Sequence, residues 1–108
     1  MSLQDDFVTT VKVVFRKFEG EIVAFFPEES ATLDPKFCCC YSHTGQHSTA
    51  EYYHVLTSSI AATDAEAVDL KSELESIGYN LELFRGSPAS AYQKRQKQIQ
   101  DIYNQSAN

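Results

Sequence analysis

"TVKVVFRKFEGEIVAFF", Thr10 to Phe26, decides the fold class. Val11, Val13 and Phe15 share one parity while Lys12 and Arg16 share the other, which is the period of two expected of a strand with one buried face. Glu19-Gly20 then places a glycine where a tight turn needs positive φ. Glu21 to Phe26 follows as a second β-rich run, so the pair reads as a hairpin. Pro27 is expected to end it, because proline has no N–H to give to a ladder. Glu28 to Lys36, with Asp34-Pro35, reads as a polar loop.

Downstream, Phe37 to Tyr41 is a short apolar run bounded by that loop and by Gly45, and it suits a third strand. Successive strand side chains leave on opposite faces, so Cys38 and Cys40 are expected on one face and Phe37, Cys39 and Tyr41 on the other. Ser48 to Ser59 fits strand or helix; the spacing of Tyr52, Val55 and Leu56 favours a short helix. Thr63-Asp64-Ala65-Glu66 is the clearest local signal, a capping box with acids at the positive end of the helix dipole. Ala67, Leu70, Leu74 and Ile77 then recur on one helical face, and Gly78 stands where a left-handed cap is wanted. Tyr79 to Phe84 alternates again as a strand. The tail, 89–105, is a Gln- and Lys-rich helix former with a sparse stripe of Tyr92, Ile99, Ile102 and Tyr103, expected to dock weakly or to protrude.

These elements predict an α+β fold: a mostly antiparallel sheet of three to four strands with helices packed on one face. At 108 residues, with 43% hydrophobic and 22% charged side chains, the chain reads as a single domain over 1–108, with a compact core at about 8–86 and the helical tail beyond it. A chain of this length buries enough surface to fold without a metal or disulfide. No apolar stretch approaches the length of a membrane span, and an odd set of three adjacent cysteines suits a reducing compartment. A soluble cytoplasmic protein with no membrane association is therefore expected.

The net charge of -6 argues against general nucleic-acid binding. Lys94, Arg95 and Lys97 form a small basic cluster that reads as the solvated face of the terminal helix. Adjacent cysteines on an extended strand point apart, so no ion can collect Cys38, Cys39 and Cys40, and no cofactor or metal is expected. Their apolar neighbours Phe37 and Tyr41 suggest burial rather than reactive thiolate. His54, beside two tyrosines, is expected to pack half-buried.

The best functional candidates lie just after the third strand: Tyr41, His43, Gly45, Gln46 and His47. Hydroxyls, an amide and two imidazoles cluster there around a glycine, and rigid scaffolds commonly present function on such loops. Two uses are open. One is a non-enzymatic protein-interaction module, binding a protein partner or forming a homo-oligomer; the other is a small hydrolase with His43 or His47 as acid or base.

Tyr41-Ser42-His43-Thr44-Gly45-Gln46-His47, with "LKSELESIGYNLELFR" further on, resembles a family of small uncharacterised bacterial and phage-associated proteins that share a Y-x-H-x-G-Q-H stretch. The resemblance spans roughly Val11 to Arg85. It implies a compact domain encoded among accessory genes, and it brings no catalytic residues to carry over.

Overall fold

The hairpin forms as read: β1 (Thr10–Phe18) and β2 (Glu21–Ser30) pair antiparallel around Glu19 and Gly20, whose φ values of 48° and 85° are those of a two-residue primed turn. A computed structural model describes residues 10–42 and 46–106 of the chain. β3 (Phe37–Ser42) adds to β2, and β4 (Gln46–Glu51) adds to β3, both antiparallel. The chain then returns through helix α1 (Tyr52–Ser58) to the opposite edge, where β5 (Ile60–Ala61) pairs antiparallel with Arg16 and Lys17 of β1. Helix α2 (Asp64–Ser76) follows, β6 (Asn80–Leu83) pairs parallel with the first half of β1, and helix α3 (Pro88–Ser106) closes the described chain.

The class is α+β with a mostly antiparallel sheet and three helices among the described residues. Two expectations need correction. The sheet has six strands, in the order β4-β3-β2-β1-β5 with β6 beside β1, rather than three to four. The helices cover both faces rather than one. On one face Val13, Phe15, Ala24, Phe26 and Tyr41 meet Ala67, Leu70 and Leu74 of α2; on the other Phe25, Cys38 and Cys40 meet Tyr52 and Val55 of α1 and Ala91 of α3. The unbroken apolar run Ile22 to Phe26 is what a strand buried on both sides requires.

Local signals explain the boundaries. Thr63 Oγ1 accepts from the Glu66 N–H at 3.1 Å while the Glu66 carboxylate accepts from the Thr63 N–H at 2.9 Å, the reciprocal cap that starts α2. Gly78, at φ 113°, turns the chain out of α2 into β6. Ile77, expected on the apolar stripe, is exposed at the end of the helix. Pro27 does not end β2. The strand runs on to Ser30 with a register shift against β3 between Phe26 and Ser30, so the proline sits at an irregularity where no ladder donor is needed.

The tail differs most from expectation. Helix α3 does not protrude; Ala91, Arg95 and Ile99, one turn apart, are buried against the sheet. Arg95 is 0% exposed, not part of a solvated basic face. Its Nε donates to the Pro35 carbonyl at 2.6 Å and its Nη1 to the Pro27 carbonyl, while the guanidinium carbon lies 5.7 Å from the ring centres of both Tyr52 and Tyr92. Nη2 has no hydrogen-bond partner among the described residues. Burial lowers the guanidinium pKa, opposed by the field of Cys38 and the neighbouring phenols. Carbonyl dipoles and aromatic faces thus replace water around this cation, tying α3 to β2, to the loop before β3 and to α1.

No helix among the described residues is long and apolar enough to cross a membrane.

Two measurements follow from these contacts. Arg95→Ala leaves the buried Pro27 carbonyl and the part-buried Pro35 carbonyl without their donors and a hole beneath α3, and should lower the unfolding free energy in urea by about 3 kcal/mol; a loss below about 1 kcal/mol would show that α3 is not held this way. Glu66 is held down from 4.5 to about 2, first by the Lys17 ammonium at 2.7 Å and then by the Thr63 N–H. A carboxylate depressed in the folded state adds stability above its unfolded pKa and loses it as pH falls through the folded one. Glu66→Gln should therefore flatten the pH dependence of unfolding between about pH 4.5 and 2 and leave the slope above that range unchanged.

Candidate functional site

Among the predicted site residues, His43 and Gly45 lie outside the described residues, and of Gln46 only the backbone is described, pairing with Ser42 at the start of β4. Tyr41 and His47 are direct cross-strand partners. The ladder places both side chains on the face covered by α2, where Tyr41 is buried and His47 exposed. The Tyr41 hydroxyl donates to Oε2 of Glu73, one turn before the end of α2. The His47 ring stands edge-on to Tyr41, with centroids 4.7 Å apart and planes at 65°.

Tyr79, which sequence reasoning did not place here, completes the cluster. Gly78 turns the chain back so that the Tyr79 N–H reaches the Leu74 carbonyl at 3.1 Å, and the phenol ring stacks on Phe26 at 5.3 Å and 8°. Its hydroxyl lies 2.8 Å from His47 Nε2. Burial raises the Tyr79 phenol, with the fields of Cys39 and Glu29 adding to it, so at neutral pH it is protonated; the direction of its bond to Nε2 follows the tautomer of the imidazole. Where the phenol is the donor, the ring proton of a neutral imidazole sits on Nδ1, the nitrogen on the remaining side of the ring. The only sequence hint of Tyr79 was its position after Gly78; its meeting with His47 is a contact across 32 residues that no local pattern announces.

The cysteine triplet diverges as expected: Cys38 and Cys40 pack beneath α1 and α3, and Cys39 lies on the α2 side. All three are free. Burial pushes the Cys38 thiol up to about 12, outweighing the pull of Arg95, and burial also raises Cys39, helped by Glu29 and Cys40. Neutral buried thiols are poor nucleophiles and poor metal ligands. Among the described residues no three of His, Cys, Asp and Glu come together in a way that could hold a metal ion. His54 is exposed rather than half-buried, on the opposite face from His47, where it borders a shallow groove of about 530 Å³ floored by Phe18, Val23, Phe25 and Cys40.

What remains chemically distinctive is the outer side of β4. Its ladder with β3 is regular over six residue pairs, from Phe37 opposite Glu51 to Ser42 opposite Gln46. The Tyr52 N–H continues that ladder by donating to the Lys36 carbonyl at 3.2 Å. Backbone groups in an antiparallel ladder alternate sides, so Gln46, Ser48 and Ala50 point theirs toward β3, and His47, Thr49 and Glu51 point theirs outward. Among the described residues no strand pairs with that outer edge.

The burial of the sulfurs is directly measurable. At neutral pH Cys38 should react with an aromatic disulfide reagent far more slowly in the folded protein than in denaturant, where all three thiols react; fast native labelling at Cys38 would contradict the assignment. The chain matches no protein-family model, no curated protein and no solved structure.

Proposed function

We propose that this protein is a cytoplasmic, non-enzymatic protein-interaction module that captures an extended polypeptide segment along the outer edge of β4. One observation carries the reading: three consecutive outward residues, His47, Thr49 and Glu51, present their N–H and C=O groups in an unbroken register with no strand against them among the described residues. Added strands bind sheet edges through such main-chain groups and gain selectivity from alternate side chains. Edge strands that must stay unpaired are usually blunted by proline, lysine or a bulge. β4, with the sequence QHSTAE, has none of these.

The cluster behind the edge supports the same use. The Tyr79 hydroxyl is hydrogen-bonded to the His47 ring and Tyr41, itself bonded to Glu73, stands edge-on to it, so the edge offers a positioned imidazole beside its backbone groups. The alternative of a small hydrolase with His43 or His47 as acid or base draws support from the exposed imidazole of His47. Nucleic-acid binding through the terminal basic cluster is weakened by the burial of Arg95, which leaves Lys94 and Lys97 as its exposed members.

Selection from a library of unstructured peptides tests the reading. Thr49→Pro removes the central outward donor and spares the inward groups that bind β3, and proline is tolerated at edge positions whose N–H faces solvent. Selected peptides should bind the native protein and lose at least about tenfold in affinity for Thr49→Pro, consistent with one lost backbone bond and a blocked approach. Undiminished binding to the folded variant would move the binding surface off β4.

A further inference from the structure

We infer that the segment paired with β4 is β4 of a second copy of this chain, joined antiparallel about a two-fold axis through Thr49. This rests on the reading of β4 as a capture edge. A two-fold perpendicular to the sheet keeps each strand's faces aligned, so a residue can oppose only residues of its own parity. Thr49 opposite Thr49 is the centre that uses all three outward residues. It sets His47 of each copy opposite Glu51 of the other, and the backbone groups of the three pairs close six hydrogen bonds.

The side chains agree with that register. His47 and Glu51 lie on the same face of β4, two positions to either side of the centre. With Nε2 of His47 engaged by Tyr79, Nδ1 is the ring nitrogen left to meet the carboxylate of Glu51 in the facing strand, and it donates there in the tautomer whose Nε2 accepts from the phenol. The pair occurs twice by symmetry, and it complements whether the imidazole is neutral, as a hydrogen-bond donor, or charged, as an ion pair. The central Thr49 pair is a favoured cross-strand combination, and Ser48 faces Ala50 of the other copy without charge or bulk. Shifting the centre to Ser48 would put His47 opposite Thr49 and leave Glu51 facing residue 45, with no such complement.

The path of the chain keeps this edge clear. α1 leaves β4 at Tyr52 and crosses the face of the sheet, with Val55 packed in the core and the Leu56 and Ser59 carbonyls held by Arg16 of β1. The result is a continuous sheet across two copies, with α2 of each on one face and α1 and α3 on the other.

Sedimentation velocity over a hundredfold concentration range tests the inference. The native protein should pass from monomer to dimer as concentration rises. Glu51→Lys should weaken association by at least about tenfold, because each altered pair occurs twice. The double variant His47→Glu with Glu51→Lys restores opposite charges in the same register, still lets the Tyr79 hydroxyl donate to position 47, and should recover most of the lost association. Circular dichroism of each variant checks that the monomer stays folded. A native protein that remains monomeric throughout, or a double variant no better than Glu51→Lys alone, overturns self-pairing. If that monomer still captures peptides in a Thr49-dependent way, only the identity of the partner has failed; if it captures none, the edge reading fails with it.

Discussion

The ladder between β3 and β4 is the constraint on which the candidate site depends. Its register settles two matters together. It makes Tyr41 and His47 neighbours, and it decides which backbone groups of β4 are spent on β3 and which face away. A one-residue slip of β4 would reverse both, moving His47 to the face of α1 and turning the outward groups of Thr49 toward β3. Burial of Tyr52, directly after β4, opposes such a slip, so the register is held by the core rather than by the polar strand β4 itself.

A buried arginine sets the frame around this ladder. Desolvating a guanidinium without a carboxylate is costly, and the compensation here comes from two prolyl carbonyls and two tyrosine rings. The gain is geometric: a planar cation with several donors joins β2, the loop before β3, α1 and α3 at one point, which a lysine ammonium could not span. Pro27 and Pro35, which look like strand breakers in the sequence, are the residues whose carbonyls it reads.

Much of the architecture was legible because it is written in short-range patterns. The turn at Glu19-Gly20, the capping box at Thr63 and Glu66, the glycine exit at Gly78 and the divergence of the cysteines each depend on residues within a few positions of one another. β4 escaped notice because QHSTAE has no apolar alternation, lying at an edge where neither face needs burial, and β5 is only two residues long. Coverage of both faces was written in the continuous run Ile22 to Phe26, but a period-two reading of β1 alone hides it. The partnership of His47 with Tyr79 and the burial of Arg95 join segments far apart in the chain and could not be seen locally. At the candidate site, sequence therefore pointed to Tyr41 and His47 without revealing Tyr79 or Glu73, which hold them.

Residue-resolved amide hydrogen exchange at low and high protein concentration tests most directly the alternation of backbone groups along β4 and the pairing of its outward set. The amides of Ser48 and Ala50 should be protected at both concentrations, while those of His47, Thr49 and Glu51 exchange quickly when dilute and slow as copies associate. Protection that fails to alternate along the strand, or outward amides whose exchange is indifferent to concentration, would contradict the account.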